Sequence, residues 1–406
     1  MADRQTPLGD LNLARVREAL ARIPADGWLL FDFHRINPVV GRLLGSGALG
    51  LGTRRLFVFL PGAAGGPAVA LAHRIEQHSL AGFPGEIRPY SSWHELHREL
   101  GAIVRGRTLA MEVSPQDAVP YLDRVPHGVV QLVESLGGRV VSSASLVTQF
   151  AAGWTAQDRE EHRRAAETLA DIARDTLRWA GSEAARGAEV REVTAQTRVR
   201  EAMSRAGLIS DEPPIVAFQE NSALPHYEPH PGQDRRLSTG QVILLDLWGR
   251  TGRSVVFADQ TWIGFAGRNP DAEVRRVWDA VRRARDRVVE VLRERYGGGG
   301  KGEGGGVSGA DLDDAARAVI RDAGYAEYFV HRTGHSIDRE LHGSGPNLDN
   351  FETADTRALE PGVGFSIEPG IYLPSRFGMR SEINAFLTGT AVETSPAAPQ
   401  TALLLV

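Results

Sequence analysis

Two stretches of sequence decide the fold: HRTGHSIDRELHGSGPNL at residues 331–348 and FSIEPGIYLPSRFGMRSE at residues 365–382. The first carries three histidines, His331, His335 and His342. The second places Glu368 directly after an apolar run, and it places Glu382 where strand alternation predicts a core residue. An unpaired carboxylate in a protein interior costs several kcal/mol, so acids embedded in strands need cationic partners. These partners are either arginines, which the chain has in number, or metal ions.

Two aspartates follow apolar runs further upstream. The run 242–245 leads to Asp246, and the run 255–257 leads to Asp259. The connection at residues 250–253 is short, which predicts a hairpin whose paired strands bring both carboxylates to the same end. A single aspartate after a strand usually caps a turn or faces solvent, so this pair indicates a metal site only together with further ligands.

The composition restricts the available ligands and nucleophiles. The 406 residues include no cysteine, and 45 of the 46 basic residues are arginine, the exception being Lys301. A disulfide framework, a thiolate metal site and a cysteine nucleophile are therefore excluded, and a lysine Schiff-base enzyme is not expected. Lys301 lies in the glycine-rich run 297–306, which we interpret as a surface loop, because a phosphate loop needs Ser or Thr where Gly302 stands. Any metal must be bound by carboxylates, histidines and backbone oxygens.

Charge and hydropathy predict a cytoplasmic protein. The formal net charge is −5, so no basic surface is expected to bind nucleic acid. Residues 1–10 do not resemble a secretory signal, and no apolar run reaches the roughly 20 residues that span a bilayer. We expect neither a membrane nor a nucleic acid as a partner.

The sequence divides near residue 153. Before that point, short apolar strands alternate with amphipathic helices, which predicts an α/β domain, with strands at 27–31, 56–60, 68–72 and 108–111 and helices from 115 and over 129–136. After it, a long helix is predicted from Gln157 to Trp179 with Thr155 as its N-cap. A second long helix is predicted after Pro270.

The candidate ligands form one set in chain order, Asp246, Asp259, His335, Glu368 and Glu382. Oxygen and imidazole donors of this kind suit a pair of Mn²⁺, Co²⁺ or Zn²⁺ ions that share carboxylates. With this order and these flanking residues, the sequence resembles the pita-bread metallopeptidases: prolidase, aminopeptidase P, methionine aminopeptidase and the metal-free creatinase. The resemblance covers the whole chain, because WLLFDFHRINP at 28–38 is similar to the N-terminal domain of prolidases and aminopeptidases P. Creatinase is disfavoured because its metal positions are substituted.

The resemblance implies an α/β fold with a creatinase-like N-terminal domain, residues 1–153, and a pita-bread catalytic domain, residues 154–406. It implies that Asp246 binds one metal, that His335 and Glu368 bind the other, and that Asp259 and Glu382 bridge both. Two divalent ions per subunit are thereby implied, with Mn²⁺ first and Zn²⁺ or Co²⁺ as alternatives. A hydroxide between the ions would attack the scissile carbonyl, with Glu368 as general acid and base.

Further roles follow from the same resemblance. His226, in the segment NSALPHYEP, and His342 match substrate-facing histidines that stabilise the tetrahedral intermediate and orient the substrate. His331 would line the proline pocket, and Arg380 would face the substrate or its carboxylate. The alternative for each is a hydrogen-bonded structural histidine or a surface arginine. One departure concerns specificity: relatives commonly have Thr-Arg shortly after the second aspartate, and here the run is Asp259-Gln260-Thr261-Trp262.

The predicted function is hydrolysis of the Xaa-Pro bond, first of dipeptides, as in prolidase. The first alternative is an aminopeptidase P that acts on longer Xaa-Pro peptides. The alternative from another class is a non-catalytic binding protein that retains the fold. Family members are commonly homodimers, which implies a homodimer here.

Overall fold

The computed structural model describes residues 11–45, 49–50, 52–63, 66–254, 256–296 and 306–406. The chain divides into two compact units, Met1–Ala151 and Ala152–Val406. Residues 1–10, Val255 and residues 297–305 of the glycine-rich run, including Lys301, lie outside the described residues. Within the described ranges, no helix is both long and apolar enough to cross a membrane.

The described residues of the first unit include six strands that form one sheet. They are β1 (Gly27–Asp32), β2 (Leu56–Pro61), β3 (Val69–His73), β4 (Glu86–Tyr90), β5 (Thr108–Met111) and β6 (Arg139–Ser142). Their order in the sheet is β4-β3-β2-β1-β5-β6. The helices are α1 (Leu13–Leu20), α2 (Pro38–Leu44), α3 (Trp93–Val104), α4 (His127–Ser135) and α5 (Ala144–Phe150), with 3₁₀ turns at Gln77–Leu80, Pro115–Asp117 and Pro120–Leu122.

Helices cover both faces of this sheet, as its continuous apolar strands predict. Alternate residues of β1 point to opposite faces, so Trp28 packs with α1, α2 and α5, whereas Leu29 packs with α3 and α4. The helix predicted from Pro115 was wrong, because only a 3₁₀ turn forms there. Gln116 and Asp117 have positive φ angles of 58° and 55°, which a helix does not accommodate.

In the part of the second unit that the structure describes there are four long helices and eleven short or medium strands. The helices are α6 (Ala156–Ala185), α7 (Glu192–Arg205), α8 (Ala272–Tyr296) and α9 (Gly309–Asp322), with 3₁₀ turns at Gln219–Ala223 and Ala326–Tyr328. The first five strands are β7 (Leu208–Ile209), β8 (Ile215–Phe218), β9 (Val242–Thr251), β10 (Ala258–Phe265) and β11 (Ser336–Ile337). The remaining six are β12 (Gly364–Ile367), β13 (Gly370–Leu373), β14 (Phe377–Arg380), β15 (Ile383–Leu387), β16 (Val392–Ser395) and β17 (Leu404–Leu405).

These strands form three sheets. One has the order β17-β10-β9-β7, with β8 also paired to β9, and the others are β11-β12-β15-β16 and β13-β14. The two faces of the β9–β10 hairpin pack differently: Leu245 contacts the α6 and α7 side, whereas Leu244 contacts the α8 and α9 side. Asp246 has the parity of Leu244, so it points to the α8 side.

The long helices agree with the sequence patterns in position and differ in length. Thr155 caps α6, because its hydroxyl accepts from the N–H of Asp158 while the Asp158 carboxylate accepts from the N–H of Thr155. The predicted end at Trp179 was wrong, since α6 continues to Ala185. The helix predicted after Pro270 is α8, and it begins at Ala272.

Candidate active site

The β9–β10 hairpin brings Asp246 and Asp259 together on one face. In its antiparallel register Asp246 pairs with Thr261 and Asp259 pairs with Trp248, so the two aspartates occupy neighbouring positions. Both are buried. The prediction that Asp246 lies at a strand end was wrong, because it is in the middle of β9. Asp259 does lie near a strand end, as the second residue of β10, but the strand predicted before it was wrong, since Val256 and Phe257 precede β10, which begins at Ala258. In the sequence, the hydropathy pattern of a strand that continues past a buried carboxylate looks the same as that of a strand that ends at it.

His335 and Glu368 come from neighbouring strands and are held by one serine. His335 directly precedes β11, and Glu368 directly follows β12. The Ser366 hydroxyl accepts from the N–H of His335 (3.0 Å) and donates to Oε1 of Glu368 (2.9 Å). Nδ1 of His335 donates to the carbonyl oxygen of Ser336 (3.1 Å), which leaves Nε2 as the free acceptor toward the site.

Glu382 completes the group from a third segment. It lies between β14 and β15, so the prediction that it sits inside a strand was wrong by one residue. Its Oε2 accepts from the Thr261 hydroxyl (2.7 Å), but its buried Oε1 has no hydrogen-bond partner among the described residues. Asp259, His335 and Glu382 each offer a ligand atom, and these atoms lie within 4.8 Å of one another.

These donors fit a metal ion. Nε2 of His335 is 3.4 Å from Oδ2 of Asp259 and 3.4 Å from Oε1 of Glu368, too long for good hydrogen bonds. Two donors about 2.1 Å from one tetrahedral cation lie roughly this far apart. The orphaned Oε1 of Glu382 is a buried acceptor that a cation would satisfy. The donor set contains only oxygen and imidazole, as the sequence predicts.

The pKa values of the carboxylates also fit a site that binds a metal ion. Burial raises the pKa of Asp259 to about 8, and the negative charge of Glu368 adds to the shift. Burial raises the pKa of Asp246 to about 6, against the lowering effect of Arg380. The pKa of Glu382 is raised well above its usual value by burial and by Asp259. Positive charge added next to these groups would lower their pKa values and favour their joint ionisation.

Glu368 differs from the other carboxylates. Burial alone would raise its pKa, but His335 and Arg380 outweigh burial and lower the pKa to about 2. It is therefore ionised near neutral pH, as an acceptor of protons or a ligand has to be.

Arg380 is a cation in direct contact with the cluster. Its buried guanidinium pairs with Oδ2 of Asp246, and its Nε donates to the Thr261 hydroxyl (2.8 Å). It also donates to the Tyr372 hydroxyl (3.3 Å). Arg380 lines the cavity, but its strongest contact is the ion pair with Asp246, so its predicted contact with substrate remains a prediction.

The cluster forms part of the wall of a cavity of about 540 Å³. His226 and His342 line this cavity and also a neighbouring one of about 720 Å³, which His331 lines as well. The ring of His342 lies edge-on to that of His335, with 4.4 Å between centroids. The repulsion that would arise if both rings were protonated, together with burial, lowers the pKa of His342 to about 3. Burial lowers the pKa of His335. Both imidazoles are therefore neutral near neutral pH.

His331 is held by two hydrogen bonds. Its Nδ1 lies 2.7 Å from the carbonyl oxygen of Arg332, and its Nε2 lies 2.8 Å from the Tyr372 hydroxyl. The carbonyl can only accept, so Nδ1 carries the proton and the Tyr372 hydroxyl donates to Nε2. Burial lowers the pKa of His331 to about 4, which agrees with a neutral ring.

Sequence reasoning missed Thr261 and Tyr372 as parts of the site. Alternation along β10 could have found Thr261, because it shares a face with Asp259. Alternation also explains the departure at Trp262, which points to the opposite face and packs among residues of α6 and α7. Trp262 therefore does not line the cavity.

Comparison with known proteins identifies a family and relatives that match more than half of the chain. The profile of metallopeptidase family M24 matches residues 160–388, more than half of the chain. The probable dipeptidase PepE of Mycobacterium tuberculosis is 30% identical over 338 residues, which cover 81% of this chain and 80% of that relative. The Xaa-Pro dipeptidase of Pyrococcus furiosus is 29% identical over 222 residues, which cover 55% of this chain and 58% of that relative.

A solved structure shares the fold. The dipeptidase PepE from Mycobacterium ulcerans matches with a TM-score of 0.71 and 24% identity, covering 97% of this chain and 96% of that chain. This likeness confirms the predicted fold class, an N-terminal α/β domain followed by a pita-bread catalytic domain.

Proposed function

We propose that this chain, which belongs to metallopeptidase family M24, cleaves the Xaa-Pro bond, first of dipeptides, with two divalent metal ions. As a member of this family, the chain is a hydrolase that uses divalent metal. The specificity for the Xaa-Pro bond and the number of metal ions are proposed. The observation that carries the proposal is the buried Oε1 of Glu382, which has no partner among the residues that the structure describes and lies among nitrogen and oxygen donors at a cavity. The name of the Pyrococcus furiosus relative, Xaa-Pro dipeptidase, supports the specificity.

In the proposed site, each metal ion would have ligands of its own, and two carboxylates would serve both ions. Asp246 would hold one ion and His335 with Glu368 the other, while Asp259 and Glu382 would hold both. Bound there, two divalent ions supply a water of near-neutral pKa and a Lewis acid for the scissile carbonyl. Four carboxylates and one imidazole favour Mn²⁺, and Zn²⁺ or Co²⁺ are compatible.

Glu368 is proposed to move the proton. Its low pKa keeps it ionised, and the Ser366 hydroxyl fixes one of its oxygens, so the other oxygen is available to accept a proton. The leaving nitrogen of an Xaa-Pro bond belongs to a tertiary amide and must be protonated before it departs. Glu368 would deliver this proton as general acid.

The histidines are proposed to bind the substrate. His342 is neutral, so one of its nitrogens can donate to the oxygen that becomes negative in the transition state, and His226 lines the same cavity. His331 would border the proline ring, held in place by the Tyr372 hydroxyl. Arg380 would act near the substrate carboxylate while it pairs with Asp246.

A comparison of substrates tests this proposal. Leu-Pro and Met-Pro should be hydrolysed faster than Leu-Pro-Gly, and Leu-Ala, which lacks proline, should be resistant. Rapid cleavage of the tripeptide with an inert dipeptide would instead establish an aminopeptidase P. A protein that binds two metals and cleaves none of these peptides would favour the binding protein.

A homodimer is the proposed assembly. Strands β1, β3 and β4 run in the same direction, so the segments that follow them meet at one edge of the first sheet. Exposed apolar side chains occupy these segments, namely Phe33, Ile36, Ile75 and Trp93. An exposed apolar surface of this kind supports association with a second copy. Light scattering after gel filtration should give twice the chain mass, and a chain mass at micromolar concentration would refute the dimer.

Two further expectations stay proposals. We propose that the two compact units correspond to the predicted domains 1–153 and 154–406. The cytoplasm as the location of the protein remains a prediction from the sequence, and fractionation of cells that produce it would test this.

A further inference from the structure

Glu192 is a buried carboxylate to which the proposed mechanism gives no role. It is the first residue of α7, and it is completely buried. Its Oε1 accepts from the N–H of Phe218 (2.6 Å), and its Oε2 accepts from the Tyr227 hydroxyl (2.7 Å) and the N–H of Arg235 (2.7 Å). The side-chain amide of Asn221 donates as well, at 2.9 Å to Oε2 and 3.1 Å to Oε1. All of these donors are uncharged groups.

The donors belong to a single segment, residues 218–235. Phe218 ends β8, Asn221 lies in the following 3₁₀ turn, and Arg235 is where the chain returns to α7. A second hydrogen bond holds Arg235 at Glu192, because the N–H of Glu192 donates to the carbonyl oxygen of Arg235 (3.1 Å). One carboxylate therefore holds both ends of this segment and, through Tyr227, its middle.

His226 is the residue next to Tyr227. Its ring lines both cavities, and no described residue makes a hydrogen bond to that ring. Its position thus depends on the backbone on either side of it. The three histidines His331, His335 and His342 differ, because ring contacts or hydrogen bonds hold each of their rings.

We infer that Glu192 is a positioning residue for His226: it anchors the 218–235 segment so that the imidazole of His226 faces the carboxylate cluster. The inference rests on the proposed role of His226 in binding the substrate. Glu192 itself lines neither cavity formed around His226, so it acts through the segment rather than on the substrate.

Replacement of Glu192 by glutamine removes part of this anchor without changing the volume. An amide has one acceptor oxygen and a donor NH₂ group, and that NH₂ group would face the N–H or O–H donors that the carboxylate now accepts from. The segment should shift, and a displacement of about 1 Å at a catalytic group can reduce turnover by roughly 10²-fold.

A double-mutant cycle tests the inference. Turnover of Leu-Pro is measured for the metal-loaded full chain, for Glu192→Gln, for His226→Ala and for the combination, with thermal unfolding recorded for each. We expect Glu192→Gln to lower kcat by about 10- to 100-fold in the wild-type background. In the His226→Ala background the same change should lower kcat less than about twofold, because the group that it positions is gone.

A second variant tests the inference even if the Glu192→Gln protein does not fold. Tyr227→Phe removes only the hydrogen bond closest to His226, and it should lower kcat in the same His226-dependent way with a smaller loss. Glu161→Gln is the matched control, because Glu161 is also buried and accepts from the Thr251 hydroxyl (2.9 Å) but lines neither cavity. It should leave kcat unchanged.

The outcomes separate this inference from the proposed function. Losses that are equal in both backgrounds, or wild-type turnover by folded Glu192→Gln and Tyr227→Phe proteins, overturn the positioning role alone. A His226→Ala protein with wild-type turnover overturns the proposed role of His226 and the inference with it. A wild-type chain that cleaves no Xaa-Pro peptide overturns the proposed function first.

Discussion

Glu112 of the first unit and Glu382 of the second are both buried glutamates, but their surroundings differ. Glu112 is fully satisfied: its Oε1 accepts from Trp28 (2.6 Å) and Ser143 (3.0 Å), and its Oε2 accepts from Asn37 (2.9 Å). Glu382 accepts from Thr261 on one oxygen and has no partner on the other among the described residues. Protein donors therefore satisfy both oxygens of Glu112 but, among the described residues, only one oxygen of Glu382.

The difference separates a group that supports the fold from one that serves a ligand. Burial raises the pKa of both glutamates. At Glu112 the hydrogen bonds from Trp28 and Asn37 oppose the shift, whereas at Glu382 the charges of Asp259 and Glu368 increase it. We therefore expect Glu112 to contribute stability without activity, and Glu382 to contribute activity at a cost in stability until cations bind.

The largest effect is expected at Glu382. In Glu382→Gln the site loses one negative charge and one of the proposed metal ligands, so hydrolysis of Leu-Pro should fall by about 10³-fold or more. The bound metal should fall below two ions per chain, measured by elemental analysis after dialysis. The metal-free protein should be as stable as the wild type or more so, because like-charge repulsion is relieved. Wild-type turnover by this variant would contradict the assignment of Glu382 as a group that serves a ligand.

The opposite pattern is expected at Glu112. Glu112→Gln places an NH₂ group against donors such as Trp28 Nε1 or Asn37 Nδ2, so one buried donor loses its acceptor. The free energy of unfolding should fall by about 1–3 kcal/mol in urea titrations. The kcat for Leu-Pro should stay at the wild-type value, and a loss of kcat with unchanged stability would contradict the assignment.

The stability of the metal-free protein should depend on pH. The folded-state pKa values of Asp246, about 6, and Asp259, about 8, lie above the ordinary 3.8. Between about pH 4 and pH 8 the folded protein therefore retains protons that the unfolded chain has released, so its stability falls as the pH rises. The unfolding temperature of the chelator-treated protein should drop by several degrees from pH 6 to pH 8, and metal loading should reduce this drop. A drop of the same size in both forms would refute the explanation.

The smallest effect is expected at Tyr372. Tyr372→Phe removes the hydroxyl that donates to Nε2 of His331 (2.8 Å), so that ring can reorient. The kcat/KM for Leu-Pro should fall about threefold to tenfold, which corresponds to the loss of one hydrogen bond. Tyr296→Phe is the control, because the Tyr296 hydroxyl donates to the carbonyl oxygen of Leu359 (2.7 Å) and lines neither cavity. An equal loss in both variants would show that the effect is not specific to His331.

The sequence predicted the fold class and the long helices because these depend on local patterns. Thr155 with Asp158 is a capping box that any helix start can use, and the apolar runs of β1 and β2 identify strands without knowledge of their neighbours. The strand limit at Asp246 was wrong, because local hydropathy ends at this buried carboxylate although β9 continues to Thr251. The limit near Asp259 was wrong, because the apolar residues Val256 and Phe257 precede β10, which begins at Ala258.

The candidate site was predictable as a set of residues and not as an arrangement. Glu368 and Glu382 could be chosen because acids after or between apolar strands require an explanation. The contacts of Thr261 with Glu382 and of Arg380 with Asp246 join positions 121 and 134 residues apart, and only the paired sheets bring them together. The roles assigned to the individual side chains remain predictions until variants are measured.

The central claim is that the carboxylate and histidine cluster works only with divalent cations. Hydrolysis of Leu-Pro by chelator-stripped protein, before and after addition of MnCl₂ and with bound metal quantified in the same samples, tests it most directly. We expect no turnover from the stripped protein and full recovery as occupancy reaches two ions per chain. Undiminished hydrolysis by protein that retains no metal would contradict the claim.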